Sequence, residues 1–208
     1  MPNYKLTYFN ARGRAEAARL IFKQGGVEFD DVRIDGEAWG AMKGTGVAPY
    51  GQLPILEVDG KVLGQSVAIA RFAARETGML GENSFDMAVA DSVVDSVGDV
   101  SQSLYQAHFE KDDAKKAEMM KKIKSETVPN WCAAMEKLIA GDYVVGSKMT
   151  WADIGIYQLV SGLQERMQDE EEKNATKTKY PKLIQLVERV AAAPNIAKWV
   201  KERPETNM

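Results

Sequence analysis

Two rhythms of hydrophobic and polar positions divide the chain. "KLTYF" is a β-type run, "GRAEAARLIFKQGG" places its apolar residues at helical spacing and stops at Gly25 and Gly26, and "EFDDVRI" returns to strand character. That is a βαβ unit. "LPILEVDGKVLG" then predicts two strands about the turn Asp59-Gly60, and "QSVAIARFAARETG" predicts a helix ending at Gly78. From Asp86 onward the strand signals fade. Helical windows run over 86–110, 113–139, 150–168, 181–192 and 196–202. The small, polar stretch "MLGENSF" at 79–85 joins the two textures, which predicts an N-terminal α/β domain over 1–79 and an all-α domain over 80–208. The polar segment "DEEEKNATKTK" at 169–179 is expected to be a solvated loop between two helices. In "MTWADI", Thr150 and Asp153 have the spacing of a capping box, and Met149 and Ile154 that of a hydrophobic staple, so this motif is a folding device.

Composition narrows the chemistry without changing this architecture. The 208 residues carry 27 basic and 30 acidic side chains, a net charge of −3, with no basic block interleaved with aromatics. Nucleic acid is therefore set aside as a partner. No window has the apolar length of a membrane span and "MPNYKLTYFN" lacks a signal-peptide pattern, so a cytoplasmic protein with no membrane partner is expected. One cysteine, Cys132, allows no internal disulfide, and one histidine, His108, leaves a zinc cluster or a histidine triad without support. Cys132 sits in the helical "PNWCAAMEKLI" and reads as a packing thiol, while His108 reads as a surface residue.

Pro54 is the conspicuous irregularity. It stands in the apolar run "APYGQLPIL", where its missing N–H is out of place in an interior strand. A βαβ-ββα unit with proline at the start of its third strand is the arrangement of the thioredoxin-like fold. If the bond before Pro54 is cis, the backbone of Leu53 is turned to offer its N–H and C=O to an extended peptide added like another strand.

The segments "YKLTYFNARGRAEAARLIF", "GQLPILEVDGKVLGQSVAIARF", "MTWADI" and "IAKWVKERPET" together resemble the sigma-class glutathione transferases, a family that includes the haematopoietic prostaglandin D synthase branch. The resemblance spans nearly the whole chain. It implies a homodimeric enzyme that holds glutathione as a thiolate and conjugates it to hydrophobic electrophiles, in detoxification. Tyr8 matches the tyrosine that stabilises the thiolate, and Arg14 the arginine that supports it. Lowering a thiol from a pKa of ~8.5 by about two units requires only ~3 kcal/mol of differential interaction, within reach of a charge-assisted hydrogen bond in a positive setting.

The rest of the site follows the same matching. Gln65 and Ser66 open a helix, where free N–H groups suit the γ-glutamyl carboxylate. Trp39 and Lys43 match the pair that holds the glycine carboxylate, and Gly51, Gln52, Leu53 and Pro54 match the segment beside the cysteinyl unit. Phe9, Arg12, Gly13, Leu104, Tyr105 and Gln106 correspond to the second-substrate pocket.

Asp91, Asp95 and Asp99 fall four residues apart on one helix face, a self-repelling stripe that asks for a positive partner. In the family this helix lies at the dimer interface, and the position of Asp99 reaches the ligand's amino group in the neighbouring subunit. Two departures bear on substrate. The prostaglandin D synthase branch has a third interfacial acid for divalent metal where this chain has Gly98, so no metal is expected. That branch also has a pocket tryptophan where this chain has Gln106, which weakens the prostaglandin reading. A glutathione-dependent isomerase or lipid peroxidase, and a non-catalytic crystallin-like or ligand-carrying protein, remain as alternatives.

Overall fold

The computed structural model describes residues 2–167 and 169–206. Two compact units form, one from Met1–Leu80 with Ala192–Met208 and the other from Gly81–Ala191.

The first unit is built on a four-stranded mixed sheet in the order β2-β1-β3-β4. Its strands are β1 (Tyr4–Phe9), β2 (Asp30–Ile34), β3 (Ile55–Val58) and β4 (Lys61–Gly64). β1 pairs parallel with β2 and antiparallel with β3, and β3 pairs antiparallel with β4. The crossover from β1 to β2 is made by a 3-10 turn at Gly13–Ala15 and helix α1 (Glu16–Gln24). Leu20, Ile21 and Phe22 of α1 are fully buried with Leu6 and Leu56 of the sheet. Gly26 ends this helix in the left-handed conformation (φ 68°), with Val27 N–H donating to Phe22 O at 2.9 Å.

The β3–β4 hairpin turns on Asp59 (φ 47°) and Gly60 (φ 81°), the pair of positive-φ residues that a tight two-residue turn demands. Helix α2 (Gly36–Met42) follows β2, and helix α3 (Ser66–Glu76) follows β4 and packs on α1. The sequence placed the tail in the helical domain. Its helix instead packs on α1: Trp199 Nε1 and Arg203 Nη1 donate to Glu16 Oε1 at 3.0 and 2.9 Å.

Among its described residues the second unit is built of helices and loops, with no strand. Helices α4 (Ser84–Phe109) and α7 (Trp151–Arg166) pack together, with α5 (Asp113–Lys122), α6 (Val128–Leu138), α8 (Glu170–Lys179) and α9 (Pro181–Ala192) completing it. Trp151, Ile154, Ile156, Leu183 and Leu186 form its fully buried centre. The capping box is present: Asp153 Oδ2 accepts from Thr150 N–H at 2.7 Å and from its hydroxyl at 2.9 Å, and Oδ1 accepts from Val144 N–H at 2.8 Å.

Two local expectations need correcting. The helix expected over 113–139 is interrupted by a π-helical turn at Ile123–Thr127, just ahead of Pro129. Proline has no N–H to donate and its ring crowds the carbonyl four residues back, so a wider turn accommodates it. Residues 170–179 form a helix rather than a loop. Asp169 caps it by accepting from Glu171 N–H at 2.8 Å, and glutamates at its start and lysines at its end match the helix dipole. Polar composition concealed a helix stabilised by its ends. The final helix, α10 (Pro194–Glu202), belongs to the first unit and starts two residues before the expected 196.

Candidate active site

Strand register gathers the candidate residues at one end of the sheet. Tyr8 and Phe9 close β1, and Phe9 pairs with Ile34 at the end of the parallel β2, so the chain leaves for α2 beside them. Thr7 pairs with Ile55 at the start of the antiparallel β3, which brings Leu53 and Pro54 to the same end. Ile55 in turn pairs with Gly64, the last residue of β4, so Gln65 and Ser66 follow there as well. Four separate sequence segments therefore converge through backbone pairing alone.

The Leu53–Pro54 peptide is cis. Pro54 is buried and Leu53 half-buried, while Gly51 and Gln52 are exposed. The preceding loop closes over the end of β4: a side chain at Gly64 would meet the Tyr50 ring at 2.9 Å. Gln65, the residue before α3, has φ 72° and ψ 113°, a conformation that costs a non-glycine residue about 1–3 kcal/mol and is commonly held at ligand-binding turns. It orients the opening N–H groups of α3.

Tyr8 is half-buried, and its hydroxyl oxygen accepts from the Arg14 backbone N–H at 3.3 Å. A phenol that accepts from a loop on one side presents its own hydrogen elsewhere, which is the requirement for donating to an anionic sulfur. Gly13 lies against the same ring. It has φ 40°, and a Cβ there would approach the Tyr8 hydroxyl to 2.8 Å and Cε1 to 2.9 Å. Gly13 thus shapes the tyrosine's setting, a closer role than lining a pocket. The Arg14 side chain is exposed.

The rings continue outward from Tyr8. Phe9 lies edge-on to Tyr8 at 5.5 Å and to Trp39 at 6.5 Å. Trp39 is half-buried on α2, whose start is capped by Asp35 accepting from Ala38 N–H at 2.8 Å. Lys43, exposed, closes α2 by donating its N–H to Trp39 O at 2.8 Å. Trp39 thus stands on α2 and Lys43 at its C-terminal cap.

The remaining candidates stand on α4 in the second unit. Asp91, Asp95 and Asp99 lie on it at four-residue intervals, Asp95 and Asp99 exposed. Leu104 and Tyr105 are half-buried and Gln106 is exposed. Cys132 is buried, and burial pushes its thiol up to about 11, which suits packing and not nucleophilic attack. His108 is exposed, against the Phe109 ring at 4.9 Å.

Sequence reasoning missed a charged cluster behind Tyr8. Arg19 is fully buried, with its guanidinium carbon 6.0 Å from the Tyr8 ring centroid. Its Nη1 donates to Ala11 O at 2.8 Å, Arg12 O at 3.4 Å and Glu16 Oε2 at 3.2 Å, and its Nε to Asp31 Oδ1 at 2.8 Å. The available signal was a Glu16–Arg19 pair three residues apart among the apolar positions of α1.

A thioredoxin-like sheet end that gathers a phenol, an indole, a lysine and a helix start, in a chain whose second unit is built of helices, has the two-part architecture of a glutathione transferase. Comparison with known proteins agrees with this class. Residues 4–75 match the glutathione S-transferase N-terminal domain and residues 98–203 its C-terminal domain. The chain is 39% identical over 208 residues to a hematopoietic prostaglandin D synthase of Gallus gallus, and 39% identical over 214 residues to glutathione S-transferase 1 of Ascaris suum, with 99% of each chain covered in both. Among solved structures it resembles the monomeric Na-GST-3, a glutathione S-transferase of the hookworm Necator americanus, with TM-score 0.88, 31% identity, and 99% of this chain and 100% of that one covered. The chain belongs to the glutathione S-transferase family.

Proposed function

We propose that this protein is a sigma-class, cytoplasmic glutathione transferase that ionises the glutathione thiol beside Tyr8 and conjugates it to hydrophobic electrophiles, a detoxification activity. The observation that carries this reading is the Tyr8 hydroxyl, anchored as an acceptor on Arg14 N–H at the sheet end where the other glutathione candidates converge.

In the reaction, the phenol O–H donates to the thiolate and favours it over the thiol, and the Arg14 charge adds to that preference. Trp39 Nε1–H and the Lys43 ammonium hold the glycine carboxylate. The backbone of Leu53, set by Gly51, Gln52 and Pro54, pairs with the cysteinyl unit, and Ser66 with the N-terminus of α3 and Gln65 takes the γ-glutamyl carboxylate. Fixing both ends of the tripeptide orients the sulfur before the electrophile arrives, and ionisation raises its reactive fraction. Phe9, Arg12 and Gly13 supply an apolar and cationic side for that electrophile. Among the described residues no helix is long and apolar enough to cross a membrane.

An ultraviolet titration of bound glutathione, wild type against Tyr8→Phe, tests the assignment. A thiolate formed near or below neutral pH and shifted upward in the variant supports it; an unshifted thiol in the wild type refutes it.

We also propose a homodimer in which Asp99 reaches the glutathione of the neighbouring subunit, with the acidic face of α4 meeting positive charge. The monomeric hookworm relative makes this a question for sedimentation: a wild type that remains monomeric at high concentration removes Asp99 from the site. A second reaction, isomerisation of a prostaglandin endoperoxide, is favoured by the similarity to the Gallus gallus synthase and opposed by Gly98 and Gln106. Product analysis with that substrate separates the two.

A further inference from the structure

A permanently charged side chain with no exposure must be paired, and Arg19 is paired through its Nε and Nη1 with groups of the first unit, while its Nη2 is buried with no hydrogen-bond partner. Its two carboxylate partners explain how the charge is tolerated. They do not explain why the guanidinium also reaches the carbonyls of Ala11 and Arg12, which lie in the β1–α1 loop just before Gly13 and Arg14, the residues that touch Tyr8. A second arginine acts on the same loop. Arg33 Nη1 donates to Asn10 Oδ1 at 3.2 Å while its Nε donates to Asp31 Oδ2 at 2.9 Å, so residues 10, 11 and 12 are all tied to one charge cluster.

The outer end of that cluster is the C-terminal helix. Glu16, also buried, shares its carboxylate: Oε2 accepts from Arg19, and Oε1 accepts from Trp199 Nε1 and Arg203 Nη1. Without those two donors, Glu16 would be left with a poorly compensated buried charge, and its hold on Arg19 would shift.

We propose that Glu16 and Arg19 are positioning residues for the Tyr8 hydroxyl, and that α10, through Trp199 and Arg203, is the outer member of this clamp and sets the acidity of the thiol bound beside Tyr8. The inference rests on the glutathione-activation reading given above. None of the clamp's hydrogen bonds given above goes to α2 or the start of α3, on or beside which Trp39, Lys43, Gln65 and Ser66 stand, so it is expected to govern ionisation separately from binding of the tripeptide ends.

The test uses the full-length double variant Trp199→Phe/Arg203→Gln, which removes both donors while keeping an aromatic ring on α10, beside wild type, Tyr8→Phe and Arg203→Lys. The expected result is a thiol pKa raised by about one unit in the double variant, hence roughly tenfold less thiolate below it, with glutathione affinity changed no more than about twofold. Its kcat at neutral pH falls in proportion, and recovers toward wild type at alkaline pH where the thiol ionises unaided. Arg203→Lys, which keeps the charge, retains most of the wild-type acidity. A double variant that melts earlier yet keeps the wild-type thiol pKa and pH profile, while Tyr8→Phe shifts both, overturns the clamp and leaves α10 as a structural staple only. A wild type with an ordinary thiol pKa overturns the activation reading and this inference together.

Discussion

Replacing Gly13 by alanine separates folding from catalysis at this site. The added Cβ would stand 2.8 Å from the Tyr8 hydroxyl, 2.9 Å from Cε1 and 3.2 Å from Cζ, the first two closer than real side-chain carbons come to a neighbour. Either the loop or the ring must move. The loop is tied by Arg19 to Ala11 and Arg12 carbonyls and by Arg33 to Asn10, whereas the hydroxyl is the far end of a half-buried side chain. The ring therefore yields.

The stability cost is then mostly that of an alanine at φ 40°, about 1–2 kcal/mol. For a chain of this size that corresponds to a fall in Tm of roughly 2–8 °C. Displacing the hydroxyl by a few tenths of an ångström to about 1 Å costs far more in activity, up to about a hundredfold in kcat. Stopped-flow conjugation of a chromogenic electrophile at saturating glutathione, with calorimetric melting of the same preparation, reads both quantities. The Gly13→Ala change should add little further loss in a Tyr8→Phe background, which has no hydroxyl left to displace. A Gly13→Ala protein with wild-type kcat and thiol pKa would refute the claim that Gly13 sets the position of Tyr8.

Three further outcomes follow from the same geometry. Lys43→Ala should raise KM for glutathione about tenfold with kcat within about twofold, because a carboxylate contact remote from the sulfur binds ground and transition states alike; steady-state kinetics across glutathione concentration checks this. Asp153→Ala should cost at least ~3 kcal/mol in urea unfolding, since it strands the buried N–H groups of Val144 and Thr150 and the Thr150 hydroxyl. Tyr4 is nearly fully buried, and burial with its bond to Glu76 pushes its phenol up to about 12. The folded state therefore holds this proton more tightly than the unfolded chain, so the contribution is complete below pH 10 and lost as pH rises toward about 12. Unfolding measured across that window should show a fall in stability shallower by about one proton in Tyr4→Phe than in wild type.

What the sequence disclosed depended on whether a signal was local. Gly26 after α1, the Asp59-Gly60 turn, the Thr150–Asp153 capping box and Pro181 at the start of α9 each act within a few residues, and each element appears at its expected place. The helix over 170–179 was missed because its stabilisation lies at its two ends and not in an apolar face. The α10 packing could not be read locally at all: Glu16 and Arg203 are 187 residues apart, and nothing in either neighbourhood names the other. Tyr8, Trp39, Lys43, Gln65 and Ser66 were singled out because motifs marked them, and strand pairing brings their segments to one end of the sheet.

The proposed ligand contacts and the charged residues behind Tyr8 differ in burial, and on the proposed function this has a consequence. Of the residues proposed to meet glutathione, Lys43, Gln52, Gln65 and the Arg14 side chain are exposed, while Tyr8, Trp39 and Leu53 are half-buried. Glu16 and Arg19, which fix the loop beside Tyr8, are almost wholly excluded from solvent. A buried, multiply bonded charge resists displacement because any movement breaks several short contacts in a medium that compensates them poorly. An exposed lysine on a flexible stem can adjust to its ligand at little cost. On the proposed function, the site is rigid where a proton must be held at a defined distance from sulfur and compliant where only a carboxylate must be met. Substitutions behind Tyr8 should change the ionisation of the thiol, and those on α2 and at the start of α3 should change occupancy by the tripeptide.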